Sequence, residues 1–138
     1  YPHEVTHIYT YKHFPKINII INEGVATYLG GSKGLNYKKH IKALHKYISK
    51  NEISLSEYLF DNQKRYTVLD DSTTILYSSG ALLCDLAYKK GGKKKLFDLM
   101  NSGRSDKELK SAIEDVFNID IANFDHFIEN ELNTFFDE

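Results

Sequence analysis

The pentapeptide His3-Glu4-Val5-Thr6-His7 is the stretch around which the rest of the sequence is organised. In an α-helix of about 3.6 residues per turn, positions i and i+4 lie on one face, so His3 and His7 can present two imidazoles to one metal ion. Glu4 stands beside this pair, where a carboxylate can hold and deprotonate a water molecule without being a ligand. The pattern therefore predicts a hydrolytic zinc site on a first helix.

A second helix is expected to supply the third ligand. Glu23 lies sixteen positions after His7, which leaves room for the first helix to end, for the chain to turn near Pro15 and for a second helix to return. A catalytic zinc site has three protein ligands and an open position for water. Alone, HExxH can also be two surface histidines and a glutamate, and Glu23 can be a surface charge. The apolar run Ile19-Ile20-Ile21 argues against a fully solvated second helix.

Taken together, these motifs resemble the gluzincin metallopeptidases, in particular the bacterial peptidase MA-like branch. There an HExxH helix is followed by a glutamate helix with an N-E-G-x-A pattern, which here reads Asn22-Glu23-Gly24-Val25-Ala26. A further stretch, Tyr77-Ser78-Ser79-Gly80, is similar to the family's Tyr-x-x-Gly helix. The resemblance implies a mainly α single domain over residues 1–138, the helical C-terminal portion of a zincin-like catalytic domain. It also implies a β-containing subdomain upstream of Tyr1.

The resemblance further implies an activity and a role for each motif residue. It implies a zinc-dependent peptidase in which His3, His7 and Glu23 hold Zn2+, Glu4 is the general base and Tyr77 stabilises the tetrahedral intermediate. The partner would be a peptide or protein substrate. Tyr77 has a competing interpretation, because the chain has ten tyrosines and an aromatic on a helix is more often a core residue. The alternative function is a non-catalytic interaction or structural module that keeps the peptidase scaffold.

Asn22 and Thr27 are candidates to orient the ligands, because a ligating imidazole normally donates its other N–H to an oxygen acceptor. Thermolysin-like relatives have an aspartate four residues after the glutamate ligand, and Thr27 stands at that position here. Which residue orients His3 or His7 stays open. The remaining histidines lack the spacing of a ligand set and are expected at the surface or at helix ends: His13, His40, His45 and His126.

Composition excludes several other classes of protein. A chain of 138 residues with 41% apolar and 27% charged residues suits a globular domain rather than a disordered one. The formal net charge of -1 argues against a nucleic-acid-binding surface. The lysine-rich stretch 89–95 is interpreted as a solvent-exposed segment near the end of a helix. Cys84 is the single cysteine and is expected to be a buried thiol. No apolar run approaches the ~20 residues of a membrane span. Many members of the resembled family act outside the cytoplasm, but the compartment stays open.

Apolar periodicity and capping residues predict about seven helices and no strand. Gly30-Gly31 is expected to end the glutamate helix. Ser72 or Thr73 is expected to cap the helix that carries Tyr77, and Gly91-Gly92 is expected to stop that helix. Periodicity alone also allows a short buried strand around Glu23. The predicted helices span about 2–14, 17–29, 36–50, 54–60, 72–90, 105–117 and 121–135, with a further short helical segment over 93–100 and a polar loop over 61–71.

Overall fold

The computed structural model describes residues 3–32 and 35–136, and over this part of the chain the protein is mainly α-helical, as predicted. In the described ranges no strand forms, although isolated β-bridges join Ser32 to Leu35 and Val68 to Thr74. The described α-helices are α1 (His3–His13), α2 (Ile19–Gly30), α3 (Tyr37–Asn51), α4 (Leu55–Leu59), α5 (Ile75–Met100), α6 (Asp106–Phe117) and α7 (Phe124–Phe136). Short 3-10 turns lie at Lys64–Tyr66, Asp70–Ser72 and Ile121–Asn123.

Helices α2 and α5 form the centre of the fold, and two glycines allow their backbones to touch. A Cβ on Gly24 would lie 2.4 Å from the carbonyl carbon of Gly80, and a Cβ on Gly80 would lie 2.3 Å from the carbonyl oxygen of Ile20. No side chain fits at either position without moving a helix. The close approach puts the first turns of α5, which carry Tyr77, against the part of α2 that carries Glu23.

Apolar side chains from both helices build the core around this contact. Cys84 is fully buried within it, as predicted, and is a free thiol. Helices α3, α6 and α7 close the core with apolar faces, and α7 packs inward through Phe124, Ile128 and Leu132. The residues at the centre, each at most 2% exposed, include Ile20, Ile21, Val25, Ile41, Leu44, Leu76, Leu82, Leu83, Leu109 and Ile113.

Helix α1 has its polar side turned inward and its apolar side turned outward. Thr6 and Thr10 are buried, whereas Val5 and Tyr9 are exposed and Ile8 is 69% exposed. A surface helix ordinarily buries its apolar stripe, so here the polar side chains decide how the helix docks. The polar face contacts α2, and this orientation turns the two histidines of the helix toward Glu23.

Several helix ends differ from the sequence predictions by a few residues. The helix of Tyr77 is capped by Thr74, whose side chain accepts from the Tyr77 backbone N–H, and neither Ser72 nor Thr73 caps it. Helix α2 begins at Ile19 rather than Ile17 because the side chain of Asn18 caps it. Gly91 and Gly92 have non-helical backbone angles and interrupt α5, as predicted.

His40 is not the surface histidine that the sequence predicted. Its side chain is fully buried, and its ring nitrogens contact the Thr73 hydroxyl and the Ser32 carbonyl, the latter at 3.1 Å. Helical periodicity could have placed His40 beside Ile41 and Leu44 on the inner face of α3, but a histidine at such a position is ambiguous without its partners. Of the other three histidines that were expected at the surface or at helix ends, His13 and His126 are exposed and His45 is half-buried.

Burial of His40 predicts a loss of stability at mildly acidic pH. Desolvation lowers the pKa of His40 and His3 lowers it further, while hydrogen bonds to the Ser32 and Leu35 backbone and the charge of Asp71 oppose the shift. The unfolded chain therefore binds the proton more readily, so the contribution of neutral His40 is complete above the unfolded pKa of about 6.5 and is lost as the pH falls below it.

The measurement is urea unfolding of the wild type and of His40→Gln between about pH 8 and pH 5. Below about pH 6.5 we expect the wild type to lose up to ~1.4 kcal/mol of unfolding free energy per pH unit beyond the loss seen in the variant. Parallel pH profiles for the two proteins would contradict this assignment.

Within the described part of the chain, none of the helices is both long enough and apolar enough to cross a membrane.

Candidate metal centre

The side chains of His3, His7 and Glu23 converge between α1 and α2. Candidate ligand atoms from the three residues all lie within 4.8 Å of one another. The Nε2 of His3 is 3.2 Å from Oε2 of Glu23, and the Nε2 of His7 is 3.2 Å from Oε1 of the same carboxylate. The three side chains are 14–20% exposed, so the group is partly shielded but open on one side. The structure thus brings together the three residues that the sequence predicted as ligands.

Asn22 orients His7, as the sequence suggested. The Nδ1 of His7 is 3.0 Å from Oδ1 of Asn22, and the Thr10 hydroxyl donates to the same oxygen over 2.6 Å. Because an amide oxygen only accepts, the hydrogen of the neutral His7 ring lies on Nδ1, and the Nε2 lone pair points toward Glu23. Asn22 and Thr10 are both buried, which holds this arrangement in place.

His3 is oriented by a backbone carbonyl and not by Thr27. The Nδ1 of His3 lies 3.0 Å from the carbonyl oxygen of Gly31, at the end of α2. Thr27 is fully buried, and among the described residues its hydroxyl oxygen has no hydrogen-bond partner. Thr27 supports the position of Gly31 through its backbone, because its carbonyl accepts from the Gly31 N–H over 2.9 Å. The proposal that the Thr27 side chain orients a ligand is therefore wrong.

The donor set fits a divalent cation such as zinc. With a hydrogen on each Nδ1, the neutral rings of His3 and His7 direct unshared electron pairs at the two oxygens of a carboxylate. Atoms in this arrangement are satisfied in either of two ways: by a metal cation among them, or by a hydrogen on Nε2 that the ring donates to the carboxylate. Two imidazole nitrogens and one carboxylate form a ligand set that zinc uses in hydrolytic sites, and each imidazole has the outer oxygen partner usual for a ligand.

A cavity of about 510 Å3 opens over this group and contains the two remaining predicted site residues. Glu4 is exposed at its edge, and Tyr77 forms part of its wall with the phenol ring centroid 5.8 Å from that of His3. All five predicted site residues therefore belong to one cavity. Its lining is formed by His3, Glu4, His7, Tyr11, Glu23, Ser32 and Tyr77.

The hydroxyl of Tyr77 is held in its protonated form. Burial, and after it the negative charges of Glu23 and Glu4, raise the pKa of Tyr77 above its ordinary range. A protonated phenol at neutral pH is a hydrogen-bond donor, and this one borders the same space as the candidate ligands.

Sequence reasoning missed two side chains of the cavity and two supporting groups. Tyr11 lies one helical turn after His7 and its ring stacks on that histidine with centroids 6.1 Å apart, so the i+4 rule could have identified it. Thr10 could have been found in the same way on the buried face of α1. Ser32 and the Gly31 carbonyl had no sequence signal, because their positions depend on how the chain leaves α2.

Comparison of the chain with models of protein families, with curated proteins and with solved structures finds no match in any of the three.

Proposed function

We propose that this protein is a zinc-dependent peptidase of the gluzincin type that hydrolyses peptide bonds. The single observation that carries the proposal is the convergence of His3, His7 and Glu23, whose ligand atoms lie within 4.8 Å of one another. A second observation supports the proposal: the HExxH, N-E-G and Tyr-x-x-Gly motifs each contribute at least one side chain to the same cavity. A lone histidine pair on a solvated helix would have neither a shared carboxylate nor outer acceptors for both rings.

The three ligands and their outer partners would hold the ion. His3 and His7 would bind through Nε2, since Nδ1 of each ring is engaged by Gly31 or Asn22. When bound, zinc supplies a Lewis acid that polarises a peptide carbonyl and lowers the pKa of water from ~15.7 toward ~7. Glu23 would complete the ligand set with a carboxylate, which adds one negative charge to the site.

Glu4 is the group that would move the proton. It is exposed at the cavity edge and has no place in the converging ligand set, so its carboxylate is free to accept a proton from water. The proton taken up at a Glu4 oxygen is then passed to the nitrogen of the leaving amine. This transfer lets the C–N bond break with release of a neutral amine, and it returns Glu4 to its ionised form.

Tyr77 would serve as a hydrogen-bond donor to the substrate. Its protonated hydroxyl borders the space above the ligands, where the oxygen of an attacked carbonyl gains negative charge. A positioned donor at that oxygen stabilises the transition state more than the ground state. Tyr77 can take this role because Thr74 caps the helix one turn before it and the Gly24–Gly80 contact seats the helix against α2.

Zinc titration of the purified protein tests the proposal. We expect about one zinc ion per chain, and we expect His7→Ala and Glu23→Ala to weaken binding by more than the ~10- to 100-fold that loss of an outer partner costs. The matched control is His13→Ala, which removes an exposed histidine from the same helix and should bind as the wild type does. A wild type that binds no zinc, or ligand variants that bind as well as the control, would contradict the site.

Hydrolysis is tested separately from metal binding. The protein is assayed on a peptide library with and without a chelator, and the proposal expects cleavage that the chelator abolishes and added zinc restores. Zinc binding without any cleavage would instead support the non-catalytic module.

A further inference from the structure

The orientation of His3 depends on one peptide plane. The carbonyl oxygen of Gly31, which accepts from His3 Nδ1 over 3.0 Å, belongs to the same planar unit as the N–H of Ser32. That N–H donates to the carbonyl of Leu35 over 3.0 Å. Rotation of the peptide would therefore break two hydrogen bonds at once, one to each side of the plane.

This peptide plane is anchored on both sides. Before it, the Gly31 N–H donates to the Thr27 carbonyl over 2.9 Å, and Gly31 has a φ of 68°, in the left-handed region that favours glycine. After it, the carbonyl of Ser32 accepts from the Leu35 N–H over 2.9 Å. The Ser32 carbonyl also receives a hydrogen bond from a side chain of another helix.

That side chain is His40 of α3. Its Nε2 lies 3.1 Å from the Ser32 carbonyl oxygen, so Nε2 carries the hydrogen, and its Nδ1 accepts from the Thr73 hydroxyl. His40 and Thr73 are both fully buried. Hydrogen bonds therefore link Thr73 to His40 and His40 to the Ser32 carbonyl. The backbone of Ser32 connects this carbonyl to that of Gly31, which accepts from the ring of His3.

We propose that His40 is a positioning residue for the metal site: through the Ser32 carbonyl it holds Gly31 and Ser32, which follow α2, in the conformation that aims the Gly31 carbonyl at His3. This inference rests on the proposed zinc site, since it concerns the affinity of that site for its ion. His40 thus helps to orient His3 through the backbone carbonyls of Ser32 and Gly31, a role that the Thr27 side chain does not have. Neither ring nitrogen of His40 is a ligand, because both are engaged elsewhere.

Two variants and one control test the proposal. In His40→Ala the Ser32 carbonyl loses one of its two donors, the backbone of Gly31 and Ser32 loosens, and we expect zinc affinity to fall about 10- to 100-fold, as for loss of an outer partner. In His40→Gln the amide can donate to Ser32 and accept from Thr73, so this variant should recover most of the loss. The control is His45→Ala, on the same helix, whose ring stacks on Phe136 and takes no part in the path. Affinities are measured by competition with a chromophoric chelator.

A second readout needs no metal. Nitrogen-15 NMR of zinc-free protein, at a pH where the rings are neutral, reports which ring nitrogen of His3 carries the hydrogen. Because the Glu23 carboxylate faces Nε2 while the Gly31 carbonyl faces Nδ1, we expect a larger share of the Nδ1–H form in the wild type and in His45→Ala than in His40→Ala. A change confined to overall stability would leave the His3 tautomer and the zinc affinity of the folded variant unaltered, and that result would overturn the proposal.

The two proposals fail in distinguishable ways. If the wild type binds no zinc, the proposed function fails, while the His3 tautomer in His40→Ala still decides the positioning role. If His40→Ala does not fold by circular dichroism, Thr73→Val replaces it, because that variant keeps the His40 ring and removes only the hydroxyl that holds its Nδ1. We expect Thr73→Val to shift the His3 tautomer and the zinc affinity in the same direction, and an unchanged His3 in the folded variant contradicts the inference.

Discussion

Replacing Glu4 by glutamine is expected to reduce peptide hydrolysis by about 10²- to 10⁴-fold while leaving zinc bound. Glutamine keeps the size and polarity of the side chain but cannot accept a proton. The retention of zinc follows because Glu4 is exposed at the cavity edge and lies outside the ligand group of His3, His7 and Glu23.

The measurement compares kcat/KM on a cleaved library peptide with the zinc content of the same preparation. The matched control is Lys12→Gln, which changes the charge of another exposed residue on α1 and should leave both quantities unaltered. Hydrolysis at the wild-type rate in Glu4→Gln would rule out Glu4 as the base. Loss of zinc together with activity would instead place Glu4 among the residues that hold the ion.

Gly80→Ala is expected to destabilise the protein by about 1–3 kcal/mol or to prevent folding. An alanine in a helix interior ordinarily stabilises by roughly 0.5–1 kcal/mol relative to glycine, so the sign of the effect is diagnostic. Here the new methyl group would meet the Ile20 carbonyl oxygen at 2.3 Å, and backbone of α2 cannot rotate away as a side chain can. The helices must separate, and the separation opens the core beside them.

The neighbouring substitution Ser79→Ala is the control for Gly80→Ala. Ser79 is buried in the same helix, and among the described residues its hydroxyl has no hydrogen-bond partner, so its removal should be neutral or stabilising. Both variants are compared with the wild type by urea unfolding. A Gly80→Ala protein that is as stable as Ser79→Ala would show that α2 and α5 do not pack through their backbones.

Local features of the helices could be predicted because they depend on neighbours in the chain. Ser105 and Glu108, for example, form a capping box whose two partners lie within one turn of the chain. The interruption at Gly91-Gly92 also follows from residue type. Prediction was wrong at the cap of α5, where Ser72, Thr73 and Thr74 are all suitable residues. Thr73 instead donates to His40, a contact between distant parts of the chain.

The candidate ligands could be predicted for a similar reason. His3 and His7 share a helical face by the geometry of any α-helix, and Asn22 precedes Glu23 directly. The partner of the His3 ring could not be predicted, because a backbone carbonyl has the same chemistry at every residue. Only the path of the chain after α2 decides that the oxygen of Gly31, and not the side chain of Thr27, reaches the ring.

From the sequence alone it follows that this protein is mainly helical and that Cys84 is buried. The sequence also identifies the helices that carry the imidazoles and the carboxylate, because spacing within a helix sets which side chains share a face. The tertiary structure decided that α1 turns its polar side inward, that two glycines bring α2 and α5 into backbone contact, and that His40 is buried beneath the turn of Gly31. These features join residues far apart in the chain, so they follow from the packing of whole helices and not from any local pattern.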